Sequence, residues 1–245
     1  MRDARHAHRR AGGGSPVSRM SEGAAERYHR LRGEIDRELR GCGRDPGGVT
    51  LVGVGKGQPV EALTAVIAAG LKDLGENYLQ EARRTFAAVP PVRKHFVGHV
   101  QTNKASGIAA AFDVVQSVDR PEAGVELAKA AQRLGKRLPV LLQVNVSPTE
   151  RFGCAPANAP RLAETLRGLA SLRLEGVMAI GPLDADRADI ERAFELAAKT
   201  LASVGGSTLS IGMSGDWREA LRAGSTMLRI GEALFGPRQV KGRQA

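Results

Sequence analysis

The chain has 245 residues, 42% hydrophobic, 25% charged and only 4% aromatic, which excludes a small module and suits one soluble domain with its own core. Two cysteines, Cys42 and Cys154, exclude a disulfide scaffold and fit a reducing compartment, and no apolar run is long enough to span a membrane. The net charge of +10 invites a nucleic-acid reading, but four of those charges fall in residues 1–20, and the scarce aromatics offer few stacking platforms for single strands.

Residues 1–19 read as a disordered extension, built around Gly12-Gly13-Gly14-Ser15-Pro16 and nearly free of apolar side chains. They lack the apolar stretch of a secretory signal, and Met20 is a candidate alternative start. Residues 20–240 read as a single domain. A charged helix is expected over 21–40, with Leu31, Ile35 and Leu39 on one face. Strands are then expected at Val49–Val54, Leu71–Leu74, Lys94–Val97, Val114–Val118, Pro139–Val146, Leu172–Ile180, Thr208–Ile211 and Met227–Ile230. Helical stretches fall between them at 59–69, 77–88, 105–111, 121–134, 157–169, 186–203 and 216–223. Pro59 and Pro121 suit first helical turns. The tail 241–245 reads as frayed.

Eight apolar runs alternating with helices are the rhythm of a parallel sheet buried on both faces. Eight such units in this length predict an α/β fold, a single (β/α)8 TIM barrel, with an open doubly wound sheet as the alternative. In such barrels the chemistry gathers at the C-terminal ends of the strands. Those ends hold Gly55-Lys56-Gly57, Gly75-Glu76-Asn77-Tyr78, Gly98-His99, Asp119, Asn145, Met178, Gly212-Met213-Ser214 and Arg229-Ile230-Gly231.

Lys56 is the sharpest of these. Desolvation at a barrel mouth would lower its pKa and free the amine to attack a carbonyl. From position alone the plainer reading has the better claim: an exposed lysine whose stem lies over the rim. The same segment fails both nucleotide motifs, because Gly57 stands where a P-loop needs Ser or Thr, and Gln58 where a dinucleotide fingerprint needs its third glycine. Ser214 and Gly231, at the ends of the last two strands, sit where barrels commonly bind phosphate. A helix N-cap and a tight turn are the competing readings. His95 and His99 flank a strand exit rather than sharing a helix face, so no metal site is expected.

Together these segments resemble the pyridoxal 5′-phosphate (PLP) homeostasis proteins, the YggS/PROSC or PLP-binding family. The resemblance rests on Val52-Gly53-Val54-Gly55-Lys56, Gly75-Glu76-Asn77-Tyr78, His95-Phe96-Val97-Gly98-His99, Leu174-Glu175-Gly176-Val177-Met178, Gly212-Met213-Ser214-Gly215-Asp216 and Arg229-Ile230-Gly231-Glu232. It runs in order over nearly all of residues 50–238.

The resemblance implies the barrel of the alanine racemase N-terminal domain. It implies PLP held as a Schiff base on Lys56, phosphate held by Ser214 with the backbone of Gly231 and Glu232, Arg229 facing the pyridine nitrogen, and Asn77 and Met178 lining the pocket. Around the lysine the chain departs from the family's common Ser-Lys-Thr, reading Gly55-Lys56-Gly57-Gln58, which bears on affinity. After the fifth strand, Arg151-Phe152-Gly153 replaces a Lys-Ser-Gly-like segment.

An arginine at the ring nitrogen weakens PLP as an electron sink. The expected function is therefore a non-catalytic PLP carrier in vitamin B6 and amino-acid homeostasis, with no catalytic residue assigned. Its expected setting is the cytoplasm, as a monomer or weak homodimer, with apo PLP-dependent enzymes as recipients and neither nucleic acid nor membrane as partner. The enzymatic alternative is a PLP-dependent amino-acid racemase, which needs a second acid/base group. The tyrosine that alanine racemases draw from a further C-terminal domain has no counterpart expected here. The binding alternative is a basic nucleic-acid-binding protein.

Overall fold

Most strands among the described residues are rich in Val, Leu and Ile, and every one is followed by a helix. That combination lets parallel strands close on themselves under a ring of helices. A computed structural model describes residues 22–237. The expected extension over 1–19 and the frayed tail lie outside the described residues. The first helix, α1 (Ala24–Gly41), precedes the barrel. Then follow β1 (Thr50–Val54), α2 (Val60–Ala68), β2 (Asp73–Glu76), α3 (Leu79–Ala88), β3 (Arg93–Phe96), α4 (Ala105–Ala111), β4 (Val114–Val118) and α5 (Pro121–Arg133). The second half comprises β5 (Leu138–Val144), α6 (Ala159–Arg167), β6 (Leu172–Ala179), α7 (Arg187–Val204), β7 (Thr208–Ser210), α8 (Trp217–Arg222), β8 (Met227–Ile230) and α9 (Glu232–Phe235). The eight strands pair in chain order, all parallel, and β8 closes on β1 with Val52 opposite Arg229. This is the expected (β/α)8 barrel.

Strand alternation divides the core in two. Leu51, Leu74, Phe96, Val115, Leu142, Val177, Leu209 and Leu228 face outward and join the apolar faces of the helices. Their neighbours Val52, Leu141, Met178 and Met227 pack together in the lumen. By the same alternation Asp73, His95, Gln116, Ser210 and Arg229 also face inward, so this lumen is apolar on one part of its wall and polar on another.

Local chemistry sets the helix ends. Pro121 opens α5 at its first turn, where a missing N–H costs nothing. Pro59 instead sits one step outside α2 as its N-cap, with extended backbone (ψ 146°). Asp186 caps α7 by accepting the Asp189 N–H at 2.8 Å. The second strand begins two residues later than expected. The Leu71 N–H donates to the Val66 carbonyl at 3.1 Å, and Gly70 before it has φ +115°, so Leu71 closes the end of α2. The short α9 was not foreseen.

Many arginines act as internal caps. Arg27 donates to the carbonyls of Leu234 (3.1 Å) and Phe235 (2.8 Å), and Arg44 to those of Leu221 and Ser225 (both 2.6 Å). Arg30, Arg218 and Arg222 pair with Glu22, Glu34 and Glu38. Much of the positive charge is thus spent on carbonyls and carboxylates of the chain itself. Among the described residues no helix is long and apolar enough to cross a membrane.

Leu31, Ile35 and Leu39 dock α1 against α2, α8 and α9. Ile35 is fully buried. Ile35→Ala is expected to remove about 2–5 kcal/mol of stability, seen as a lower urea midpoint at unchanged slope.

Candidate functional site

The seven residues expected at the site come together on five adjacent strands of the ring. Met178 lies on β6, Ser214 follows β7, Arg229 lies on β8 with Gly231 and Glu232 just beyond it, Lys56 follows β1 and Asn77 follows β2. None comes from β3, β4 or β5.

Lys56 is half-buried on the loop after β1. Its Nζ donates to the Tyr78 hydroxyl at 3.4 Å and stands 4.8 Å from the centre of that ring. Gly57 has φ +71°, a left-handed conformation that a threonine would adopt only with strain. The loop carrying the lysine is thus turned by glycine here, and Gln58 ties it to the Gly236 carbonyl at 3.4 Å.

Glu76 and Asn77 close β2. Glu76 is 1% exposed. One of its oxygens accepts from the Thr85 hydroxyl at 3.3 Å, and the other has no partner. A Cβ on Gly55 would stand 3.0 Å from the bonded oxygen, so this carboxyl lies directly behind the lysine loop. Burial pushes its pKa up to about 7. The Asn77 Oδ1 is also buried without a partner. Asn77 lines the cavity at the mouth, so its orphaned acceptor is one that a hydrogen-bonding ligand would satisfy.

On the other side of the lysine, the Ser214 hydroxyl accepts from the Ala233 N–H at 3.1 Å, tying the loop after β7 to α9. The N-cap of α8 is Asp216 rather than Ser214, and the Asp216 carboxylate accepts the Met213 N–H at 2.5 Å. Gly231 has φ −108°, and a Cβ there would meet only Val54, at 3.6 Å or more. Neither backbone conformation nor packing demands glycine at this point, so it leaves an open cradle above the backbone. Glu232 begins α9 with its side chain exposed.

Arg229 is 4% exposed. Its Nη1 donates to the carbonyl and the hydroxyl of Ser210, both at 2.7 Å, and its Nη2 to the Ala179 carbonyl at 2.8 Å. Burial lowers its pKa to about 10, and the nearby Asp216 charge acts against that shift, so it remains a cation at neutral pH. Met178 is fully buried beneath the mouth.

The two histidines part company. His95 turns into the lumen, to Asp73 at 2.8 Å and Gln116 at 2.9 Å. His99 stacks on Phe152 with centroids 4.0 Å apart, near Asp119. Among the described residues no three His, Cys, Asp or Glu side chains cluster so as to hold a metal. A cavity of about 330 Å³ adjoins the site, sharing Asn77 and lined also by His99, Asn145, Arg151 and Phe152. Sequence reading did not single out the side chains of Glu76, Tyr78, Gln116 and Ser210. The available signal was polar residues inside otherwise apolar strands, as in Val114-Val115-Gln116-Ser117-Val118.

Residues 48–239 match the family model described as alanine racemase, N-terminal domain. The "pyridoxal phosphate homeostasis protein" of Pseudomonas aeruginosa is 42% identical over 226 residues, covering 87% of this chain and 95% of that protein. The protein of the same name from Escherichia coli K12 is 36% identical over 228 residues, covering 87% and 96%. Among solved structures, PipY of Synechococcus elongatus with PLP bound aligns at TM-score 0.78 with 31% identity, covering 87% of this chain and all of that one.

Glu76 also makes a solution prediction. Its folded pKa lies above the ordinary carboxylate value of 4.5, so between about pH 4.5 and 7 the folded state binds more protons than the unfolded state. Stability from this group is therefore present at low pH and lost as pH rises through 7. Urea unfolding from pH 4.5 to 8 is expected to show a decline of up to about 3 kcal/mol in the parent relative to Glu76→Gln.

Proposed function

This chain belongs to the family of pyridoxal phosphate homeostasis proteins, built on the alanine racemase N-terminal domain, and from that premise we propose that it is a PLP carrier rather than a catalyst. One observation carries the reading. The Lys56 amine, the Arg229 guanidinium, Ser214 and the open cradle at Gly231 lie on three consecutive strands, β7, β8 and β1, at one mouth.

The residues fit the cofactor. Lys56 would hold the cofactor through its Nζ, an amine able to join an aldehyde reversibly with loss and return of one water. Ser214 and the backbone at Gly231 and Glu232 receive the phosphate. Asn77 supplies one of the orphaned acceptors, and Met178 forms the apolar floor. PLP, when bound, supplies an electrophilic carbon coupled to an electron-withdrawing ring. Arg229 would meet the ring nitrogen as a donor that stays charged at neutral pH. It does not deliver the proton that a carboxylic acid would, so the electron sink is weak. A weak sink with a reversible lysine bond suits holding a reactive aldehyde and releasing it to apo-enzymes in the cytoplasm. No side chain is assigned a catalytic role, and the protein acts as a monomer or weak homodimer.

The near-visible absorbance of the protein incubated with PLP, beside Lys56→Ala, tests this. The expected outcome is a band in the parent that the variant lacks, with the borohydride-reduced adduct mapping to the Lys56 peptide. No band after adding PLP would overturn the reading. Deuterium exchange at the α-carbon of alanine would shift it to the racemase. Steeply salt-dependent binding of nucleic acid would favour the basic-binder alternative.

A further inference from the structure

The polar wall of the lumen is one continuous hydrogen-bonded chain. Arg229 Nη1 donates to Ser210 Oγ at 2.7 Å. Ser210 Oγ donates to Gln116 Oε1, also at 2.7 Å. Gln116 Nε2 donates to His95 Nδ1 at 2.9 Å and also points at Met227 Sδ, 3.2 Å away. His95 Nε2 donates to Asp73 Oδ1 at 2.8 Å. The chain crosses β8, β7, β4, β3 and β2. His95, Gln116 and Ser210 have no solvent exposure, and the Asp73 side chain is 14% exposed.

Its direction is set from both ends. A guanidinium has only donors, so Ser210 must accept from Arg229 and pass its single hydrogen to Gln116. That orients the amide with its oxygen toward Ser210 and its nitrogen toward His95. His95 Nδ1 must then accept, leaving the ring proton on Nε2. The carboxylate of Asp73 has only acceptors, so it receives that proton as a hydrogen bond. Both ends demand the same polarity, and each intermediate side chain is held in one orientation.

From this geometry we infer that Gln116 and His95 are positioning residues for Arg229: they lock the Ser210 hydroxyl as the acceptor that fixes the buried guanidinium, and so set the donor offered to a ligand at the barrel mouth. For PLP this rests on the proposed function above. The carboxylate of the chain stands at its far end, with His95, Gln116 and Ser210 between it and Arg229. If Gln116 loses its oxygen, Ser210 has no fixed acceptor for its proton, its hydroxyl rotates, and one of the three anchors of Arg229 becomes variable.

Two measurements test this separately from cofactor binding. In cofactor-free, ¹⁵N-labelled protein, the guanidinium signals of Arg229, assigned by their loss in Arg229→Lys, should exchange slowly with water. In Gln116→Leu they should shift and exchange about tenfold faster or more. Gln116→Glu should restore slow exchange, since its carboxylate accepts from Ser210 and from Nδ1–H of a doubly protonated His95, whose Nε2–H still serves Asp73. His95→Asn, which breaks only the outer link, should move the signals in the same direction by less and serves if Gln116→Leu does not fold. With PLP added, Gln116→Leu should still be trapped on Lys56, with a displaced absorption maximum and faster PLP release than the parent. Unchanged Arg229 signals in a folded Gln116→Leu would overturn the inference. A parent that fails to trap PLP on Lys56 would overturn the proposed function alone, and the nitrogen signals would still decide the positioning role.

Discussion

A guanidinium buried inside a closed ring of strands is the constraint on which much of this structure depends. Removing such a cation from water without satisfying it costs far more than a domain's net stability margin allows. Arg229 is held by two carbonyls and a hydroxyl rather than by a carboxylate. The carbonyls come from β6 and β7, so the side chain on β8 also stitches together the ends of its two neighbours. The hydroxyl works as an acceptor only because its own proton has somewhere to go. Satisfying one cation thus recruits Ser210, Gln116, His95 and Asp73 in turn, so that five of the eight strands turn a polar side chain of this network into the lumen.

The mouth inherits an asymmetry from that interior. The strands from β6 through β1 to β2 carry the lysine, the open space at Gly231 and the arginine. The opposite side, over β3 and β5, opens into the cavity beside Asn77. Two backbone features keep the first side open. A left-handed turn at Gly57 brings the chain back after Lys56, and an unfilled space at Gly231 leaves room above the backbone where α9 begins. The carboxyl of Glu76 sits behind the lysine loop, hydrogen-bonded through one oxygen only. Its raised pKa follows from burial with a single weak partner, and it keeps the loop's inner face largely uncharged below neutral pH.

Where sequence reading and structure diverge, the causes are local. Leu71 looks like the start of a strand because it is apolar, yet its N–H completes the end of α2, and pairing starts only at Asp73. Pro59 suits a first helical turn but stands one residue outside it, because extended backbone is equally open to proline. His95 and His99 look equivalent by spacing. Alternation sends one into the lumen and chain exit sends the other to the cavity at the mouth. The departures at Gly55 and Gly57 read as lost hydroxyls. In the fold they are also space for the Glu76 carboxyl and a turn that needs glycine.

The sequence by itself determined the number of strands, their parallel order, the barrel and the polar and glycine residues at the strand ends, while the choice of the seven site residues came from the family resemblance. Those follow from the period of apolar runs and from glycine and polar punctuation at the strand ends, which are local properties of the chain. Only the tertiary structure decided that Gln116 meets Ser210 and His95, that Glu76 is left with an unpartnered oxygen, and that Arg229 is held without a carboxylate. These pairings join residues 21 to 94 positions apart. They exist because closure of the ring brings inward-facing side chains within hydrogen-bond distance, along adjacent strands at His95–Gln116 and across the lumen from β4 to β7 at Gln116–Ser210, and no local pattern records which of them will meet.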